Sequence, residues 1–187
     1  MTQPTDRSLP VTPTQAFSHA QALARAKGLE KLSYWAGIGF GSGLSPKAPG
    51  TAASAAVLVL APLWLLVGFW PSLAIIIVIS LVGIPICGKT AELFGVHDDG
   101  RIVWDEFAGQ SLVLLPLVWY GQMTLLGVVI AFGLFRLFDI WKPWPIRTLD
   151  EQVHGGLGIM LDDLLAGLVG AVCLIVLIKC SLLNSLL

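Results

Sequence analysis

Residues Ala48–Gly88 read APGTAASAAVLVLAPLWLLVGFWPSLAIIIVISLVGIPICG, 41 residues without one Asp, Glu, Lys or Arg. A helix that crosses a bilayer needs about 20 apolar residues, so this stretch holds two spans. Trp70-Pro71-Ser72 lies near its middle. Proline punctuates helices and Trp favours the membrane edge, which predicts a helical hairpin over Thr51–Trp70 and Ser72–Gly88. Two further charge-free stretches follow, Phe107–Phe135 and Leu164–Ile178. The first divides into two short helices if Gly121-Gln122-Met123-Thr124 is a turn.

The whole chain agrees with this reading. It has 187 residues, of which 56% are hydrophobic and 12% charged, with a mean hydropathy of +0.82. A soluble domain carries about 25% charged residues, so an ordinary soluble globule is excluded, as is extensive disorder. The net charge is -1, which gives no nucleic-acid footprint. With five apolar helices turning near Pro71 and Gln122, residues 1–50, 89–106 and 136–163 share one side. That side holds ten of the eleven Lys and Arg residues and all twelve acids, as the positive-inside rule favours for a cytoplasmic face. The expected fold is all-α: a multihelical integral membrane bundle of four to five apolar helices. Residues 1–31 form a tail and a short amphipathic surface helix over Thr14–Leu32, and residues 32–187 form the membrane domain. Cys87, Cys173 and Cys180 lack metal-ligand spacing and read as small apolar residues.

The charges collect in four clusters beside apolar helices. Gly37–Thr51 is glycine-rich and runs into a helix N-terminus, which suits an anion, but its spacing is not that of a Walker loop; a flexible connector is the plainer alternative. Ser45, Lys47 and Thr51 are its possible phosphate donors. Asp98-Asp-Gly-Arg-Ile-Val-Trp-Asp-Glu106 puts four carboxylates within nine residues, more than helix-dipole pairing of one or two explains. Arg136 and Asp139 are three apart and share a helix face, with Lys142 beyond them. Asp162 and Asp163 lead straight into the last apolar helix; they could be caps, and carboxylates so close to the hydrocarbon are costly unless paired or bound to a cation. Acids gathered with Lys, Arg and a glycine turn at one membrane face suit a phosphate bridged by a hard divalent ion such as Mg²⁺.

Four ordered motifs carry a family resemblance: Gly43-Leu-Ser-Pro-Lys-Ala-Pro-Gly-Thr51, Val103-Trp-Asp-Glu-Phe-Ala-Gly-Gln110, Phe135-Arg-Leu-Phe-Asp-Ile-Trp-Lys-Pro143 and Gly155-Gly-Leu-Gly-Ile-Met-Leu-Asp-Asp163. Over Leu32–Leu177 the chain resembles bacterial phosphatidylglycerophosphatase A. The resemblance implies a Mg²⁺-dependent phosphatase of the inner membrane that converts phosphatidylglycerophosphate, its phospholipid partner in the bilayer, to phosphatidylglycerol. It makes Asp105, Glu106, Asp139, Asp162 and Asp163 candidate metal or base residues, and Ser45, Lys47, Thr51, Arg136 and Lys142 candidate phosphate contacts. Either Asp99 or Asp163 is the expected base for an attacking water. Two other classes were weighed. A small transporter predicts acids deep within spans rather than at one edge, and the Asp-Gly-x-x-Ala-Arg pattern of a nucleotide-dependent lipid phosphotransferase is absent.

Overall fold

The computed structural model describes residues 17–96 and 99–180. Among these the chain is helical throughout: α1 (His19–Arg25), α2 (Glu30–Gly37), a 3₁₀ turn (Gly39–Leu44), α3 (Pro49–Leu58), α4 (Ala61–Val67), α5 (Phe69–Phe94), α6 (Trp104–Trp119), α7 (Leu125–Trp141), α8 (Ile146–Gln152) and α9 (Gly155–Lys179).

The N-terminal segment folds as two helices instead of one. Ser18 caps α1 in a reciprocal capping box with Gln21, which satisfies two amides that a helix start leaves free. Gly28, at φ 50, then breaks the chain before α2. Both helices dock on α5. Tyr34 is fully buried between His19 and Phe94, and the Phe17 amide donates to the Phe94 carbonyl at 2.8 Å. The tail before Phe17 lies outside the described residues.

The predicted hairpin exists, but its corner is at Gly68. Pro71 is the third residue of α5, where its missing N–H has no partner to lose. Gly68 has φ 82, a conformation other residues rarely adopt, and the Ser72 hydroxyl closes the corner on its carbonyl at 2.7 Å. The first arm is itself bent by 41° between α3 and α4. The second charge-free stretch does divide, at residues 120–124, with Thr124 capping α7 through the Gly127 amide at 3.1 Å.

Five full spans are not what the described residues provide. α5 and α9 are long and apolar enough to cross a membrane, and a third span results if α3 and α4 count as one. α6 and α7 have 16 and 17 residues, about 25 Å at 1.5 Å per residue, which falls short of the ~30 Å hydrocarbon layer. α6 is also buried within the bundle along most of its length.

α9 is the hub, packed on α5, α6, α7 and α8. One tight seam is with α6. A Cβ at Gly109 would lie 2.6 Å from the Asp163 carbonyl oxygen, and one at Gly167 would lie 2.5 Å from the Gly109 carbonyl oxygen. Small residues let membrane helices approach this closely. Leu114, Leu117, Phe135 and Leu174 fill the core beside the seam. At one end of the bundle, Phe69, Trp70 and Trp119 form an aromatic cluster with ring centroids 4.7–6.3 Å apart. The polar clusters converge at the other end.

Candidate active site

Four helix segments bring the site together. The N-terminus of α3 arrives with Gly50, Thr51 and Ser54. The first turn of α6 carries Asp105 and Glu106, where acids oppose the positive end of the helix. The last turns of α7 carry Arg136 and Asp139, followed by Lys142, which ends the helix in a left-handed conformation at φ 43. The second and third turns of α9 carry Asp162 and Asp163. Adjacent positions of a helix point about 100° apart, so these two aspartates reach different neighbours.

Asp105, Asp162 and Asp163 each offer a carboxylate oxygen, and these oxygens lie within 4.8 Å of one another. All three residues are well buried, Asp163 being only 3% exposed. Asp162 Oδ1 and Asp163 Oδ2 have no hydrogen-bond partner among the described residues. The other Asp162 oxygen accepts from Lys142 Nζ at 2.7 Å, and Lys142 also pairs with Asp150 at 3.0 Å. Burial pulls the Lys142 ammonium toward a lower pKa, but its bond to Asp162 and the charges of Asp162 and Asp150 outweigh this and hold it above the ordinary lysine range.

A second assembly adjoins the first along α6. Arg136 Nη1 donates to both Glu106 oxygens at 2.6 and 2.7 Å and pairs with Asp139 at 2.8 Å. The buried Ser54 hydroxyl bonds Glu106 Oε2 at 2.5 Å. Gly50 lies against this pair, and a Cβ there would overlap Glu106 Oε1 and approach Arg136 Nη1 at 3.2 Å. The α3 N-terminus therefore faces the same place as the Arg136 guanidinium. A cavity of ≈ 230 Å³ opens beside the cluster, lined by Asp105, Asp150, Asp162, Val153, Gly158 and Ile159.

Some of the predicted residues lie elsewhere. Asp99 is not in the cluster. Its carboxylate is bound by Arg101 Nε and Nη2, both at 2.6 Å, and by the Arg101 amide at 3.0 Å. Arg101 in turn reaches the Phe17 carbonyl at 2.9 Å and covers the Phe94 ring. Burial alone would raise the Asp99 pKa, but the Arg101 bonds hold it below the usual carboxylate value. Asp99 thus locks the N-terminal segment to α5 and is no candidate base. Asp98 lies outside the described residues. Ser45 donates to the Lys47 carbonyl at 2.9 Å, and Lys47 is exposed on the loop before α3. The glycines of that loop serve packing: Gly39 sits against Val103 and Phe107, and Gly43 against the Arg101 carbonyl.

Two buried polar residues stand out only in the structure, one of them, Ser54, bonded to Glu106 in the site. Ser54 is the first polar side chain past Thr51 in an apolar helix, and it is fully buried. Gln110 stands in a charge-free stretch one turn beyond Glu106. It is fully buried, and neither amide atom has a partner among the described residues. A lone polar residue inside an apolar helix was the available signal for both.

The arrangement is a buried acidic pocket with two fixed cations and a helix N-terminus beside it, which suits a divalent ion and a phosphate. Comparison with known proteins points to a phosphatase. Residues 35–178 match the family described as Phosphatidylglycerophosphatase A. Phosphatidylglycerophosphatase A of Escherichia coli (strain K12) is 44% identical over 137 residues, covering 72% of this chain and 76% of the relative. Phosphatidylglycerophosphatase A of Haemophilus influenzae is 45% identical over 132 residues, covering 70% and 79%. A putative phosphatidylinositol-3-phosphatase of Bacteroides thetaiotaomicron is 40% identical over 140 residues, covering 70% and 84%. No solved structure matches the chain.

Proposed function

The chain belongs to the phosphatidylglycerophosphatase A family and is a phosphoric monoester hydrolase, and we propose that it removes the terminal phosphate of phosphatidylglycerophosphate in a Mg²⁺-dependent reaction. The observation that carries the metal is the orphaned pair Asp162 Oδ1 and Asp163 Oδ2, buried beside Asp105. Six carboxylates, Asp150 among them, meet two cations here, and buried anions without partners are costly. Hard oxygen ligands in this number suit Mg²⁺, which Asp105, Asp162 and Asp163 would hold. When bound, the ion supplies Lewis-acid activation of water and neutralises phosphoryl charge.

The chain's own residues do the rest. Arg136, aimed by Glu106 and Asp139, binds equatorial phosphate oxygens. The first-turn amides of Gly50 and Thr51 add donors at a positive helix end. These groups face charge that grows in the transition state and are fixed beforehand, which is where electrostatic catalysis acts. Asp163 takes a proton from the attacking water as its oxygen bonds to phosphorus. The phosphorus–oxygen bond to glycerol breaks on the opposite side, and the leaving alkoxide takes a proton from solvent water. Lys142 keeps Asp162 oriented.

By sequence, ten of the eleven cations fall in residues 1–50, 89–106 and 136–163, the segments expected on one side of the membrane, which supports an inner-membrane protein with the site toward the cytoplasm. The test is substrate choice. Purified protein in mixed micelles is offered phosphatidylglycerophosphate, phosphatidic acid and a phosphatidylinositol 3-phosphate at equal surface concentration. Preferred phosphate release from the first supports the assignment. Preference for the inositol lipid would overturn it while leaving the phosphatase intact.

A further inference from the structure

One face of α7 joins the site to the outside of the bundle. Gly133, Arg136, Leu137, Ile140 and Trp141 line an open groove of ≈ 600 Å³. They stand at i, i+3, i+4, i+7 and i+8, the spacing of one helical stripe. Leu137, Ile140 and Trp141 are 52%, 71% and 67% exposed, so the walls are apolar and open. Gly133 forms a notch, because a Cβ there meets nothing within 4 Å. The one charged member is Arg136, whose guanidinium holds Glu106 at the site. Trp141 and Trp144 are exposed at the polar end, the position of an interfacial belt. Gly133 lies eight residues before Trp141, about 12 Å deeper at 1.5 Å per residue.

We propose that this groove is the lateral docking site for the glycerol backbone and upper acyl chain of the substrate lipid. The inference rests on the lipid phosphatase assignment above. A lipid phosphomonoester has a dianionic head and apolar tails, and the groove offers a cation at its upper end and an apolar notch below it. The head meets Arg136 and the acids, while a tail lies over Gly133 without leaving the hydrocarbon. The Gly133 notch then selects for substrates anchored by long chains, and its filling weakens only the part of the affinity that comes from the tail.

The experiment compares Gly133→Leu with the unaltered full chain in mixed micelles, using dipalmitoyl and dibutanoyl phosphatidylglycerophosphate. The substitution adds a good helix former at an open position, so folding is retained; thermal unfolding checks this. Val172→Phe, on the exposed face of α9, controls for bulk added elsewhere on the lipid surface. The expected result is a loss of about tenfold in kcat/KM for the long-chain lipid, carried by KM, which is about 1.4 kcal/mol. The short-chain substrate and Val172→Phe are expected to stay within twofold. Equal rates on the long-chain lipid, or equal losses on both lipids, would overturn the groove. Failure of the unaltered protein on both lipids would instead overturn the assignment on which the groove depends.

Discussion

Replacing Gly50 by Ala separates the site from the fold. By helix propensity alone, Gly→Ala in α3 stabilises by about 0.5–1 kcal/mol. The new Cβ would overlap Glu106 Oε1 and come within 3.2 Å of Arg136 Nη1. Both are side-chain ends, so they rather than the backbone give way, at a cost to a buried ion pair that offsets the propensity gain. The displacement falls on the Glu106–Arg136 pair, held at 2.6–2.7 Å. A shift of about 1 Å in a positioned catalytic group costs roughly a hundredfold in rate. Gly50→Ala is therefore expected to lose about two orders of magnitude in kcat, with its melting temperature little changed. Gly100→Ala is the control, because its Cβ meets nothing within 4 Å. Phosphate release from detergent-dispersed lipid and thermal unfolding are measured on the same preparations. A Gly50→Ala enzyme with activity within threefold of the parent would refute the claim that the α3 N-terminus and Arg136 hold the phosphate.

Other predictions follow from the same geometry. Asp105→Asn and Asp163→Asn should each abolish saturable Mg²⁺ activation, read as initial rate against Mg²⁺ concentration, while circular dichroism shows the helices intact. Asp99→Asn should lower the melting temperature by a few degrees, as the loss of a charge-assisted bond worth about 1.5–3 kcal/mol implies, with kcat unchanged; a kcat loss beyond tenfold would return Asp99 to the reaction. The native Asp99 pKa is lowered, so its contribution is present above the unfolded value of about 3.9 and is lost as pH falls through the native one. Acid unfolding of Asp99→Asn should accordingly show a shallower pH dependence. Lys142 has the opposite sign. Its native pKa is raised, so its contribution is complete below the unfolded value of about 10.4 and is lost only as pH rises through the native value. Melting temperature measured from pH 8 to 11 should fall above pH 10 in the parent and fall less steeply in Lys142→Met, where Tyr34 and Lys89 still titrate.

The helices were legible because the absence of charge over Ala48–Gly88 leaves few other ways to satisfy a backbone in an apolar environment. The corner was misplaced because proline has two meanings: it breaks a helix interior but is harmless in a first turn, and only the conformation of Gly68 decides between them. How many of the apolar helices cross the bilayer was not legible, because hydropathy does not tell lipid from protein surroundings; α6 is apolar where it is buried against α9. The acidic clusters were readable as a group, since charges at a bilayer edge have few reasons to gather. Their division was not. Asp99 and Asp105 are six residues apart, yet Arg101 turns the first toward Phe94 while the start of α6 turns the second inward. Ser54 and Gln110 were passed over because each reads as an isolated polar residue until a second helix places it.

Hydrolysis of the terminal phosphomonoester is proposed to depend on a divalent ion that the Asp105–Asp162–Asp163 cluster would hold. The most direct measurement is product analysis on purified protein with phosphatidylglycerophosphate, first with chelator and then with Mg²⁺ restored. The account predicts equimolar phosphate and phosphatidylglycerol with Mg²⁺, no product with chelator, and no rescue by Mg²⁺ in Asp163→Asn. Hydrolysis that persists in chelator, or an Asp163→Asn enzyme that Mg²⁺ restores to the parent rate, would contradict it.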